Sequence, residues 1–160
     1  MSKTLMIYYS LEGNTDFAAQ TAAGFADIDL ERLVPVKEPP KAGFGKFFWG
    51  GKSVVFSETP ALEPLKYNAG DYDNIIIGFP IWAGSYPPAI ASYIKEHAFT
   101  GKKVCVIACS AGGNCAKAVK KLEDNLPGNS FGKILSLTDP SKDKEKSAEM
   151  IKTFISAIEE

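Results

Sequence analysis

Residues Thr4-Leu5-Met6-Ile7-Tyr8-Tyr9-Ser10-Leu11-Glu12-Gly13-Asn14-Thr15 run from an unbroken apolar stretch into a short polar loop. A helical period follows at once, with Ala18, Ala22 and Phe25 recurring at i, i+4 and i+7. Continuous rather than alternating apolar character is what a strand buried on both faces of a parallel sheet requires. The same change of period recurs along the chain. Ile75-Ile76-Ile77-Gly78-Phe79 precedes Ile90, Tyr93, Ile94 and His97, and Val104-Cys105-Val106-Ile107-Ala108 precedes Val119, Leu122 and Leu126. The weaker Ile134-Leu135-Ser136-Leu137 precedes Ile151, Phe154, Ile155 and Ile158, with the charged residues 141–149 read as the solvated first half of that helix. A fifth candidate strand, residues 28–33, mixes Asp29, Glu31 and Arg32 with Ile28 and Leu30, which suits a sheet edge. Alternating strands and helices with short joins predict a doubly wound α/β sheet with right-handed crossovers.

Composition bounds the function. With 160 residues, 45% hydrophobic and 23% charged, the chain suits one domain over residues 1–160 with a real core. Its 18 basic and 19 acidic side chains nearly cancel, which argues against a nucleic-acid footprint and against an acidic disordered tail. Arg32 is the only arginine, so bidentate recognition of phosphate by guanidinium is expected to have little part. No apolar run approaches the roughly 20 residues of a membrane span, and residues 1–9 show no signal-peptide cleavage pattern. A cytoplasmic protein with no membrane partner is the expectation. Cys105, Cys109 and Cys115 form no CxxC pair. On one strand Cys105 and Cys109 would stand roughly 13 Å apart, beyond disulfide reach. All three read as reduced thiols, Cys115 near a helix start as an ordinary small apolar residue. One histidine and scattered cysteines supply no metal-ligand spacing. His97, on the apolar side of its helical pattern, reads as structural.

One segment breaks the alternation. Residues 35–72 carry Pro35, Pro39, Pro40, Pro60 and Pro64 and the aromatics Phe44, Phe47, Phe48, Trp49 and Phe56 where a crossover helix is expected, although residues 44–56 suit a short helix. Long connections in compact domains are often functional. The nearest Walker-like sequence, Gly50-Gly51-Lys52-Ser53, has Lys46 where the pattern needs its first glycine and follows no apolar strand, which argues against hydrolysis of a nucleoside triphosphate.

Ligands of open α/β sheets bind beyond the carboxyl ends of the strands at the topological switch point, so three loops carry the candidate chemistry. Ser10, Leu11, Glu12, Gly13, Asn14 and Thr15 combine hydroxyl and amide side chains, a glycine and a helix N-terminus, the makings of an anion site built from N–H groups. The plainer reading is a turn capped by Asn14 or Thr15. No lysine or arginine lies between residues 4 and 31, so a phosphate held here is expected to lack a neighbouring cationic side chain. The second loop, Pro80-Ile81-Trp82-Ala83-Gly84, places a tryptophan where it either stacks on a flat ring or plugs a gap under a neighbouring loop. The third, Ser110-Ala111-Gly112-Gly113, offers small residues and backbone amides to such a ring's polar edge.

Ser-x-x-Gly-Asn-Thr after the first strand, an aromatic loop after the third and a small-residue loop after the fourth resemble flavodoxin and its FMN-binding relatives. The resemblance spans essentially the whole chain. It implies a five-stranded parallel sheet of order 2-1-3-4-5 with helices on both faces. It also implies FMN phosphate on Ser10 to Thr15, and the isoalloxazine ring between the loops at Pro80 to Gly84 and Ser110 to Gly113, with Trp82 stacked on it. In that family a peptide after the stacking aromatic flips so that its carbonyl accepts a hydrogen bond from reduced N5–H. Here the Ala83–Gly84 peptide stands in that place, and glycine makes the flip inexpensive. The sequence departs from the family in three respects. Glu12 stands where a threonine is usual, and is expected to point to solvent and contribute only its backbone N–H. The third loop lacks the tyrosine that covers the outer flavin face, leaving it open or covered by Phe47, Phe48 or Trp49. The near-neutral charge departs from the acidic surface with which flavodoxins dock basic partners.

The resemblance therefore implies an electron carrier between redox partner proteins. An FMN-dependent NAD(P)H oxidoreductase acting on quinones or other small acceptors is the alternative. A response-regulator-like receiver is disfavoured, because it needs an aspartate where Phe79-Pro80-Ile81-Trp82 stands.

Overall fold

The computed structural model describes residues 2–37, 59–112 and 114–160. Five strands, β1 (Thr4–Tyr8), β2 (Ile28–Arg32), β3 (Asn74–Pro80), β4 (Lys103–Ser110) and β5 (Ser130–Thr138), alternate with helices α1 (Asn14–Phe25), α2 (Pro88–His97), α3 (Ala116–Asn125) and α4 (Lys144–Glu159). The sheet is parallel, in the order β2-β1-β3-β4-β5. This is the doubly wound order that the resemblance implied. The central runs are apolar throughout because each face of the sheet is covered. Leu5, Ile7, Ile75, Ile77, Val104 and Val106 face α2 and α3, while Met6, Tyr8, Ile76, Cys105 and Ile107 face α1 and α4. Neighbouring side chains on a strand thus enter opposite cores.

The edges differ from the sequence reading in instructive ways. β5 begins four residues before Ile134, and most of its residues are exposed or half-buried, so its apolar signal is confined to the end nearest α4. α4 starts at Lys144 rather than near residue 141. A 3-10 turn, Pro140–Lys142, precedes it, and Asp143 caps it by accepting from the Lys146 N–H at 3.2 Å. Phe25 is 42% exposed. The buried stripe of α1 is Thr15, Ala18, Ala19 and Ala22 instead, which keeps the period with smaller side chains. His97 is exposed beside the Tyr93 ring, at 5.4 Å between centroids, and does not enter the apolar face.

β2 lies at the edge as expected, but its charges are not simply solvated. Glu31 is buried, and its Oε1 accepts from the N–H groups of Lys66 (2.7 Å) and Tyr67 (2.9 Å). Asp29 accepts from the Tyr72 hydroxyl at 2.6 Å. The acidic side chains of the edge strand thus hold the returning end of the long connection, whose two ends also pair through Val36 N–H to Ala61 O and Glu63 N–H to Val34 O. The Walker-like residues, the aromatics Phe44, Phe47, Phe48, Trp49 and Phe56, and the short helix expected over 44–56 lie outside the described residues. Among the described residues no helix is long and apolar enough to cross a membrane, and no group of side chains could hold a metal ion.

Gly78 explains the interruption of the third apolar run. A Cβ there would stand 2.6 Å from Met6 Cε, 3.2 Å from Tyr8 Cβ and 3.3 Å from Thr15 Cγ2. The methionine tip could swing aside, but the other two atoms are fixed by strand and helix. Gly78→Ala is therefore expected to destabilise the fold by about 1–3 kcal/mol through overpacking, measured by urea unfolding. An unchanged midpoint would show that α1 is not held this close.

The cysteines sit as reduced thiols in the structure. Burial pushes the Cys105 thiol up, and burial pushes Cys109 from 9.0 to about 11. A folded-state value above the unfolded one gives Cys109 a contribution to stability that is complete below about pH 9 and lost as pH climbs to about 11. At pH 8 a thiol reagent should modify half-buried Cys115 quickly, and Cys105 and Cys109 only on unfolding. Three fast-reacting thiols in the native protein would contradict this burial.

Candidate functional site

The strand order reverses between β1 and β3, and the loops leaving these strands part there to open a cleft. A cavity of about 510 Å3 occupies it. Ser10, Leu11, Glu12, Asn14 and Thr15 form one wall, Pro80, Ile81, Trp82 and Ala83 a second, and Ser110 and Ala111 a third. Eleven of the residues expected from sequence thus line one space. Gly13, Gly84 and Gly112 shape the same loops without lining it, and Gly113 lies outside the described residues. A larger, more open hollow of about 770 Å3 lies at the amino edge of the sheet, between residues 62–70 and the end of α2. None of the three loops reaches it.

The first loop satisfies its helix start only in part. The residue before α1 is Gly13, at φ +107°, and no side chain caps the helix there. Neither Asn14 nor Thr15 is the cap, because they lie one and two residues past Gly13. Asn14 Oδ1 instead accepts from the Ser141 N–H at 3.4 Å, and the Asp16 N–H donates to Ser10 Oγ at 3.1 Å. Thr15 is 1% exposed, and its Oγ1 has no hydrogen-bond partner among the described residues. It lies near the Cys109 thiol without hydrogen-bond geometry to it. A buried hydroxyl left unpaired costs about 1–3 kcal/mol. Here it lines the cavity beside the positive end of a helix dipole, where an anionic acceptor would satisfy it. Glu12 is exposed, as expected.

A cation that distance along the chain did not reveal stands behind this loop without lining the cavity: β2 pairs with β1 and brings Arg32 opposite Tyr8. The Arg32 guanidinium donates to the Ser10 carbonyl at 3.2 Å and stands 3.5 Å from Asp16 Oδ1. Asp16 Oδ1 also accepts from the Tyr8 hydroxyl at 2.7 Å; burial, then this bond, push the phenol well above its ordinary range.

The second loop is a two-residue hairpin. Trp82 and Ser85 exchange both backbone hydrogen bonds at 2.9 Å, around Ala83 at φ +50° and Gly84 at φ +75°. Positive φ at both central residues defines a type I′ turn. Lys121 Nζ fastens the turn by donating to Ser85 Oγ at 3.0 Å. Trp82 fills a gap against the core and also fronts the cavity. Its ring meets Tyr9 edge to face at 5.6 Å and packs on the core, while it remains half-buried and lines the cavity.

The third wall is low, since Ala111 and Gly112 are exposed and small. Two lining residues escaped the sequence reading. Cys109 faces the cavity at the end of β4, and Asp139 follows β5 with a left-handed φ of +41°. The Asp139 N–H donates to the Ser110 carbonyl at 3.0 Å, and its Oδ2 accepts from Lys142 Nζ at 3.1 Å. Thr138-Asp139-Pro140 at a strand's carboxyl end was the available signal, hidden because the apolar run of β5 is weak.

A flavodoxin family model matches residues 3–153. The structure of a candidate flavoprotein from Bacteroides uniformis is 30% identical and superposes with a TM-score of 0.82, covering 97% of this chain and 98% of the other. A flavoprotein from Lactobacillus acidophilus, solved in complex with FMN, is 20% identical at a TM-score of 0.72, covering 91% of this chain and 98% of the other. An oxidised flavodoxin from Bacillus cereus is 20% identical at a TM-score of 0.58, with 98% and 97% covered. No curated protein sequence matches the chain significantly.

The two turn residues should respond oppositely to substitution. Ala83 bears a left-handed backbone that penalises any Cβ, so Ala83→Gly is expected to raise stability by about 0.5–1 kcal/mol. Gly84→Ala should lower it by about 1 kcal/mol. Urea unfolding checks both, and neutrality at both positions would mean that the hairpin does not persist in solution.

Proposed function

The chain belongs to the flavodoxin family, and from that premise we propose that it binds FMN in the cleft between the three loops and carries electrons between redox partner proteins. The observation that carries this reading is the meeting, in one cavity, of an uncapped helix start with the buried, unpartnered Thr15 hydroxyl and the half-buried Trp82 ring. The first suits a phosphate and the second a flat heteroaromatic ring. FMN bound there would supply reversible one- and two-electron redox chemistry. The residues have separate tasks. The N–H groups of Gly13, Asn14 and Thr15 and the Thr15 hydroxyl hold the phosphate at the start of α1. Trp82 orients the ring, backed by Tyr9. The Ala83–Gly84 peptide, at the tip of a tight turn, would offer its carbonyl to the ring edge. Ser110 and Ala111 bring the end of β4 to the same ring.

A second reading draws on the low third wall. Exposed Ala111 and Gly112 leave room for a small molecule beside the ring, which favours an NAD(P)H-dependent reductase of quinone-like acceptors.

Purified protein is expected to be yellow and to release FMN on denaturation, and the apoprotein to quench the fluorescence of added FMN at a stoichiometry of one. A colourless apoprotein that leaves FMN fluorescence unchanged sinks both readings. For the holoprotein mixed anaerobically with NADPH, the carrier reading expects bleaching only after a reductase is added, whereas fast bleaching without one selects the oxidoreductase.

A further inference from the structure

We infer that Arg32, the one arginine of the chain, is the positioning residue of the anion loop. It discriminates for the phosphate of the cofactor without touching it, by holding the Ser10 carbonyl and offsetting the Asp16 carboxylate. The inference rests on the FMN reading above. Its basis is a closed polar cluster drawn from four elements. Arg32 at the end of β2 donates to the Ser10 carbonyl at 3.2 Å and lies 3.5 Å from Asp16 Oδ1. Tyr8 of β1 donates to the same carboxylate oxygen at 2.7 Å, and the Asp16 N–H closes the ring by donating to Ser10 Oγ at 3.1 Å.

Two features of the loop make a cation necessary there. Ser10 is the first residue of the turn, and a carbonyl rotated inward would present a negative dipole to an anion held by the following N–H groups. The guanidinium fixes that carbonyl toward β2. Asp16 is the third residue of α1. A carboxylate in a first helical turn complements the helix dipole when the site is empty, but repels an anion that arrives to use the same dipole. Arg32 and the Tyr8 hydroxyl together offset that charge. A planar guanidinium serves a carbonyl and a carboxylate at once, which the single point charge of a lysine does less well.

The test compares FMN with riboflavin, which lacks only the phosphate, by quenching of flavin fluorescence on the full-length apoprotein. Arg32→Ala is expected to weaken FMN about tenfold or more while changing riboflavin by less than about twofold. Arg32→Lys should recover part of the loss. Adding Asp16→Asn to Arg32→Ala should recover part as well, because it removes the charge left uncompensated. If Arg32→Ala fails to fold, Arg32→Lys in the otherwise native chain carries the same comparison, with a several-fold loss confined to FMN. Equal losses for FMN and riboflavin, or no loss of FMN, overturn the assignment and leave the FMN reading standing. A wild-type protein that binds FMN no more tightly than riboflavin removes the phosphate site itself, and this role for Arg32 with it.

Discussion

Helix α1 approaches the sheet through side chains no larger than threonine. Thr15, Ala18, Ala19 and Ala22 form its buried stripe, and Gly78 on β3 leaves the space that Thr15 Cγ2 enters. A helix faced with leucines would stand off farther, since interaxial and helix-to-sheet distances follow side-chain size. The close approach sets where the first N–H groups of α1 end up, beside Gly78 of β3 and at the cavity. The anion loop therefore depends on a glycine in another strand, far away in sequence and not part of the loop.

The same interlocking runs along the β2 edge. This strand is charged because its side chains bind the neighbouring chain segments. Glu31 receives two backbone N–H groups of the returning connection, Asp29 receives the Tyr72 hydroxyl, and Arg32 turns the other way toward Ser10 and Asp16. Successive strand residues point to opposite faces, so Glu31 and Arg32, adjacent in sequence, serve opposite sides of the sheet. The carboxylates of this edge strand thus fasten the described end of the connection beside it.

The architecture was legible because burial on both faces leaves a compositional mark. Leu5 to Tyr9, Ile75 to Phe79 and Val104 to Ala108 are apolar without alternation, and no other common arrangement demands that of such short runs. The cleft was legible for a related reason, since strand order fixes which loops meet. What escaped was whatever depends on lateral pairing. Arg32 reaches Ser10 only because β2 lies beside β1, and a count of residues along the chain cannot register that. Asp139 enters the cleft from β5, whose exposed edge position erases the apolar signal that would have drawn attention to the loop after it. The start of α4 was misplaced because Asp143, the true cap, sits within a run of charges that reads as uniform solvated surface.

The two kinds of contact at the cleft divide affinity from tuning. A helix start and a buried hydroxyl act on a phosphate whatever the oxidation state of the ring, so the first loop contributes binding that cancels between oxidised and reduced cofactor. Only groups near the ring can act differently on the two. With FMN in the cleft as proposed, those would be Trp82, the I′ turn and the low wall of Ser110 and Ala111. Lys117 and Lys121 of α3 flank that turn, the first packing over Gly84 and the second holding Ser85. Neither lysine lines the cavity, whose acidic side chains are Glu12 and Asp139, the latter paired with Lys142, so the lysines act on the cleft by holding the turn rather than by charging it.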